Sequence, residues 1–170
     1  MKRWLIKSDP ESWSWDDQVK KGTTKWDGVR NYAAAASLKA MKKGDHVFFY
    51  HSGDERAILG IVEVSREFYP DPTDATKRFG MVDVALVAPL ARPVTLDAIK
   101  AEPRLGHLAL VRQSRLSVMP IDEQAWTRIY AMGGGEKRSR MLSQLILTKR
   151  TPRSTSRRPS KTASPNRVLP

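Results

Sequence analysis

The run His46-Val47-Phe48-Phe49-Tyr50-His51 constrains the fold more than any other stretch of the chain. Its aromatic and β-branched side chains suit a pleated, half-buried surface. Ser52-Gly53-Asp54 reads as a turn. Ala57 to Glu67 (AILGIVEVSRE) then alternates and is rich in apolar residues, so the two runs pair as a hairpin-like unit. Gly60 within the second run marks a bulge or the close approach of another backbone. Any fold for this chain must be built on that pair.

Around it the elements follow in order. Arg3 to Lys7 reads as a short buried strand, stopped at Ser8-Asp9-Pro10 because proline forces the residue before it out of helical backbone. Ser12 or Ser14 caps a short helix that ends at Lys20-Lys21-Gly22. An Ala-rich helix spans Ala33 to Met41 and closes at Lys42-Lys43-Gly44-Asp45. Tyr69 to Gly80 is a surface loop, and Met81 to Leu90 a third strand. Thr95 caps a helix to about Lys100. Leu105 to Gln113 is partly apolar, Ser114 to Met119 is a short strand, and a last helix spans Glu123–Met132, with Asp122 or the residues before it as its cap. The order does not alternate strand and helix, so the expected class is α+β: a mixed sheet curled into a small barrel and flanked by helices.

Charge divides the chain. The whole carries +12, but residues 136–170 hold 10 of the 30 Lys+Arg and one of the 18 Asp+Glu. That tail is +9 and the body, residues 1–135, only +3. The expected organisation is one domain over 1–135, ended by Gly133-Gly134-Gly135, and a basic, disordered tail over 136–170. A hydrophobic fraction of 40% is enough for one real core. With no cysteine there is no disulfide and no thiol nucleophile. Met1-Lys2-Arg3-Trp4-Leu5-Ile6-Lys7 does not read as a signal peptide, and no run approaches the roughly 20 apolar residues of a membrane span. The expected setting is intracellular and cytoplasmic, with no membrane partner.

Catalytic motifs are lacking. No serine sits in a Gly-x-Ser-x-Gly elbow, and there is no phosphate-binding Gly-rich loop of either common type. The three histidines lack metal-ligand spacing, so neither a metal nor another cofactor is expected. Trp26-Asp27-Gly28-Val29-Arg30-Asn31-Tyr32, just before a helix, is different. It sets a large aromatic face beside a carboxylate, a fork of donors and an amide, with a glycine that lets backbone approach a ligand. The plainer alternative is an ordinary loop, with Trp26 in the core, Arg30 solvated and Asn31 capping the next helix. As a binding pocket, Ser8, Asp9, Trp26, Asn31 and Tyr50 or His51 supply what a flipped or single-stranded base needs: a face to stack on and polar groups for its edge. Lys7, Arg30, Arg112 and Arg115 are the candidates for backbone phosphates.

These residues carry a resemblance. Trp4 to Pro10, Trp26 to Tyr32, Phe48 to Ser52, Met81 to Val84 and Arg115 to Val118 resemble, in order and spacing, the blocks of the EVE-domain family. The resemblance covers about residues 1–132. Asp9 stands where the family usually has Glu. The resemblance implies a PUA-like barrel, kinship with the YTH and ASCH domains, and binding of a modified base such as modified cytosine in DNA. Lys7-Ser8 and Trp26 are similar to the Lys-Ser pair and the cage Trp of YTH domains. The expected function is therefore a non-catalytic module that recognises a modified base in DNA or RNA. The alternatives are a nucleotide-like small-molecule sensor, or an enzyme using Asp9 or His51 as acid or base.

Overall fold

The computed structural model describes residues 1–135, and the expectation for 136–170 lies outside the described residues. Six strands form one mixed sheet: β1 (Arg3–Ser8), β2 (Thr23–Trp26), β3 (His46–His51), β4 (Ala57–Pro70), β5 (Gly80–Thr95) and β6 (Val118–Ile121), in the order β2-β5-β4-β3-β1-β6. β1 and β3 run parallel and the other pairs antiparallel. The helices are α1 (Trp15–Lys21), α2 (Tyr32–Ala40), α3 (Leu96–Ala101), α4 (Ala109–Arg112) and α5 (Glu123–Met132).

Alternation along the strands divides the core in two. Trp4, Ile6, Val47 and Phe49 face one side, where they meet Trp15, Trp26, Leu38, Val84 and Val118. Leu5, Phe48 and Tyr50 face the other, against Ile99, Leu105, Met119, Trp126 and Ile129. Both faces of β1 and β3 are covered, which is why these strands read as continuous apolar runs. The β4–β5 pair shifts register at four places, which bends it. α2 packs against β6 at one end of the strand order and against β5 near the other. In a flat sheet those strands would lie about 19 Å apart, so the sheet must curl around the helix, as the barrel expectation requires.

Local chemistry explains the helix starts. Ser14 and Asp17 form a reciprocal capping box, and Asn31, Thr95 and Asp122 each accept a backbone N–H from the first turn of their helices. Several expected boundaries move. Thr23–Trp26 is a strand, because Trp26 pairs with Val82 at the sheet edge. β4 and β5 run further than their apolar runs and enclose a shorter loop. β5 passes through Pro89 and Pro93 to Thr95. The last strand starts at Val118 rather than Ser114. Among the described residues, no helix is long and apolar enough to cross a membrane.

Candidate functional site

A cavity of about 640 Å³ opens between the end of β1, the segment before α1, β2 and the loop from Asp27 to Asn31. Its walls include Lys7, Ser8, Asp9, Trp13, Trp26, Arg30, Asn31 and Ser117. Each arrives for a local reason. β1 stops at Asp9-Pro10, and the Asp9 carbonyl then accepts the amides of Ser12 (3.0 Å) and Trp13 (2.8 Å). The chain thus folds back and returns Trp13 to the cavity. Ser8, buried at the end of β1, donates its hydroxyl to the Trp13 carbonyl. The Trp13 indole N–H donates to Gln18 at 3.0 Å, and Gln18 is itself fully buried.

Trp26 serves two roles. It packs edge-to-face on Phe49, with centroids 5.8 Å apart, and is 9% exposed. The remaining exposed part lines the cavity. Asn31 does cap α2, its side-chain oxygen accepting the Ala34 N–H at 3.0 Å. That leaves the amide NH₂ as a donor at the cavity wall. The pocket and ordinary-loop alternatives therefore both describe this stretch in part. Asp9 is exposed, and one of its oxygens takes the Glu11 N–H at 3.0 Å.

Lys7 donates to the Ser114 carbonyl at 2.8 Å and lies 5.7 Å from the centre of the Tyr50 ring. Burial pushes its ammonium pKa down. It has no carboxylate partner among the described residues. Arg112 and Arg115 line an adjoining groove of about 330 Å³ that meets the cavity at Asn31. Arg112 spends its Nε–H on the Gly106 carbonyl at 3.0 Å.

Three of the expected residues are held by other contacts. Tyr50 lies in the core on the opposite face of the sheet and does not line the cavity. His51 faces the correct side but is buried beneath Trp15, away from the cavity. Its Nε2 accepts the Trp15 amide at 2.8 Å, so Nδ1 carries the proton and donates to Glu55 at 2.6 Å. Arg30 lines the cavity, but its guanidinium is already engaged. Nη1 donates to Asp71 at 3.0 Å and Nη2 to the Thr73 hydroxyl at 3.0 Å. Trp13 and Asp71 were not anticipated. A tryptophan three residues beyond Pro10 was a signal for the first. Asp71 lies 41 residues from its partner Arg30, and nothing local links the two.

The EVE domain family model matches residues 2–132. The chain belongs to the EVE domain family. This EVE domain resembles a Rhodopseudomonas palustris protein solved by NMR, at 50% identity and a TM-score of 0.75, over 79% of this chain and 94% of that one. It also resembles human THYN1 protein, solved in complex with 5-methylcytosine containing DNA, at 31% identity and a TM-score of 0.75, over 78% of this chain and 98% of that one. Thymocyte nuclear protein 1 of Rattus norvegicus is 34% identical over 167 residues, spanning 78% of this chain and 74% of the relative.

Proposed function

We propose that this EVE domain binds DNA carrying a modified base, with 5-methylcytosine the first candidate, and that it binds without catalysis. The observation that carries this is the human relative's complex with 5-methylcytosine containing DNA, at 31% identity over 98% of the solved chain. The cavity suits such a ligand. Trp26 and Trp13 offer aromatic surface. Asp9 accepts from an exocyclic amine, and the Asn31 amide donates to a ring nitrogen or carbonyl, as reading of a base edge requires. Lys7, Arg112 and Arg115 take the flanking phosphates. RNA carrying a modified base belongs to the same proposal as the lesser candidate. A reducing intracellular compartment suits a chain with no cysteine.

Of the two acid–base candidates, Asp9 and His51, only Asp9 lines the cavity, which favours binding over catalysis. Both ring nitrogens of His51 are engaged by Trp15 and Glu55 outside the cavity. The test is anisotropy titration of the full chain with matched labelled oligonucleotides, DNA and RNA, single-stranded and duplex, with and without 5-methylcytosine. Preference for one methylated DNA supports the reader. Equal affinity for all of them makes the chain a non-specific binder, and binding only of the free nucleoside makes it a small-molecule sensor.

A further inference from the structure

Arg30, Asp71 and Thr73 close a ring of hydrogen bonds. Arg30 Nη1 donates to Asp71 Oδ2 at 3.0 Å, and Nη2 donates to Thr73 Oγ1 at 3.0 Å. Thr73 Oγ1 donates in turn to Asp71 Oδ1 at 2.6 Å. The same carboxylate accepts two amides, from Gly28 at 2.9 Å on Oδ2 and from Thr73 at 2.8 Å on Oδ1. The Asp71 side chain is wholly buried. Gly28 and Arg30 both line the cavity, whereas Asp71 and Thr73 belong to the loop between β4 and β5. Gly28 has a φ of +77°, a conformation that glycine adopts freely and an L side chain does not.

We propose that Asp71 is a positioning residue: with Thr73 it latches the loop Asp27–Asn31 to the β4–β5 loop and holds the cavity wall in its ligand-ready shape. Arg30 thereby belongs to the pocket's support and not to the phosphate contacts. The benefit for binding rests on the modified-base reading above; the latch itself does not. A wall ordered in advance spares the ligand the cost of ordering it.

The chemistry selects the variant. Both Asp71 oxygens are pure acceptors facing donors. Asn in its place could keep its oxygen toward Gly28 and Arg30 and turn its NH₂ to the Thr73 hydroxyl, which accepts as well as donates, so the decisive variant is Asp71→Ala, which removes both acceptors. Thr73→Val removes the hydroxyl with little change of shape and is the gentler second variant. Two quantities are measured on the full-length chain: amide hydrogen exchange at Gly28 by NMR, and affinity for a 5-methylcytosine oligonucleotide across a salt series.

The expected result for Asp71→Ala is faster exchange at Gly28 with strand amides still protected. Affinity falls about tenfold, equivalent to ordering one or two side chains, and the salt slope matches the wild type. Thr73→Val gives a smaller change in the same direction. Unchanged exchange at Gly28 in both variants overturns the latch. So does a salt slope that falls by about one in Arg30→Ala with Gly28 still protected, which would return Arg30 to the phosphates. If the wild type binds none of the oligonucleotides, the reader is rejected, and Gly28 exchange still decides the latch.

Discussion

The indole of Trp15 lies so close to the backbone of Gly60 that a β-carbon there would come 2.2 Å from the ring. Gly60 sits opposite Phe49 at a register shift, where β3 passes from Phe49–Gly60 pairing to Tyr50–Ile58 pairing. The glycine thus provides the bulge and also the seat for the residue that opens α1. Trp15 packs edge-to-face on Phe49, with centroids 5.2 Å apart, and Phe49 in turn supports Trp26.

Gly60→Ala must therefore displace a buried tryptophan. Overpacking of this kind costs about 1–3 kcal/mol. Chemical denaturation should show a lower midpoint with an unchanged slope, and an unaltered midpoint would mean that Trp15 moves freely.

His51→Ala should damage stability and spare binding. It leaves the buried Trp15 amide without its acceptor, a loss of about 1–3 kcal/mol. Affinity per folded molecule should match the wild type. Lost affinity at unchanged stability would return His51 to the pocket. Tyr50→Phe should likewise bind normally.

Trp26→Ala carries two separable costs. Loss of base stacking is worth about 1–3 kcal/mol, or about 5- to 150-fold in affinity. Loss of the packing on Phe49 adds a folding cost of about 3–5 kcal/mol. Titration under conditions where NMR shows the variant folded isolates the first. Wild-type affinity in that variant would remove Trp26 from the ligand site.

Arg112→Ala and Arg115→Ala should each reduce the slope of log affinity against log salt by about one, with little effect on the preference for the modified base. A change of base preference without a change of slope would place these side chains on the base.

Acid should weaken the loop between β4 and β5. Burial alone would raise the pKa of Asp71, but hydrogen bonds from Thr73, Gly28 and Arg30 outweigh it and hold the carboxyl well below its usual range. For Asp74, the hydroxyl of Thr76 leads and the amides of Phe79, Thr76 and Arg78 assist, which takes it down to about 2. A depressed carboxyl stabilises the fold above its unfolded pKa of about 4 and loses that contribution as pH falls through the folded value. Stability against pH should therefore drop between about 4 and 2, and Asp74→Asn should flatten part of that drop. An identical profile in the variant would show that Asp74 does not contribute.

The strands, the helix caps and half of the cavity were legible because they rest on short-range chemistry. Val47, Phe49 and the apolar alternation of Ala57 to Glu67 declare pleated backbone. Asn31, Thr95 and Asp122 stand where a helix needs an acceptor. Pro10 ends β1 and so leaves Ser8 and Asp9 at an open strand end beside the Trp26 loop. β2 was missed because Thr23 to Trp26 is too short to show a period, and only its pairing with Val82 to Ala85 makes it a strand.

By itself, then, the sequence determined an α+β chain with Ser8 and Asp9 at a strand end and Trp26 and Asn31 in the loop before a helix, since each of these placements depends on residues within a few positions of it. Only the tertiary structure decided the fates of Tyr50, His51 and Arg30. Strand alternation sends Tyr50 to the far core, the Trp15 amide captures His51, and Asp71 captures Arg30 from 41 residues away. The identity of a hydrogen-bond partner that distant depends on which strands lie side by side, and no local pattern encodes it.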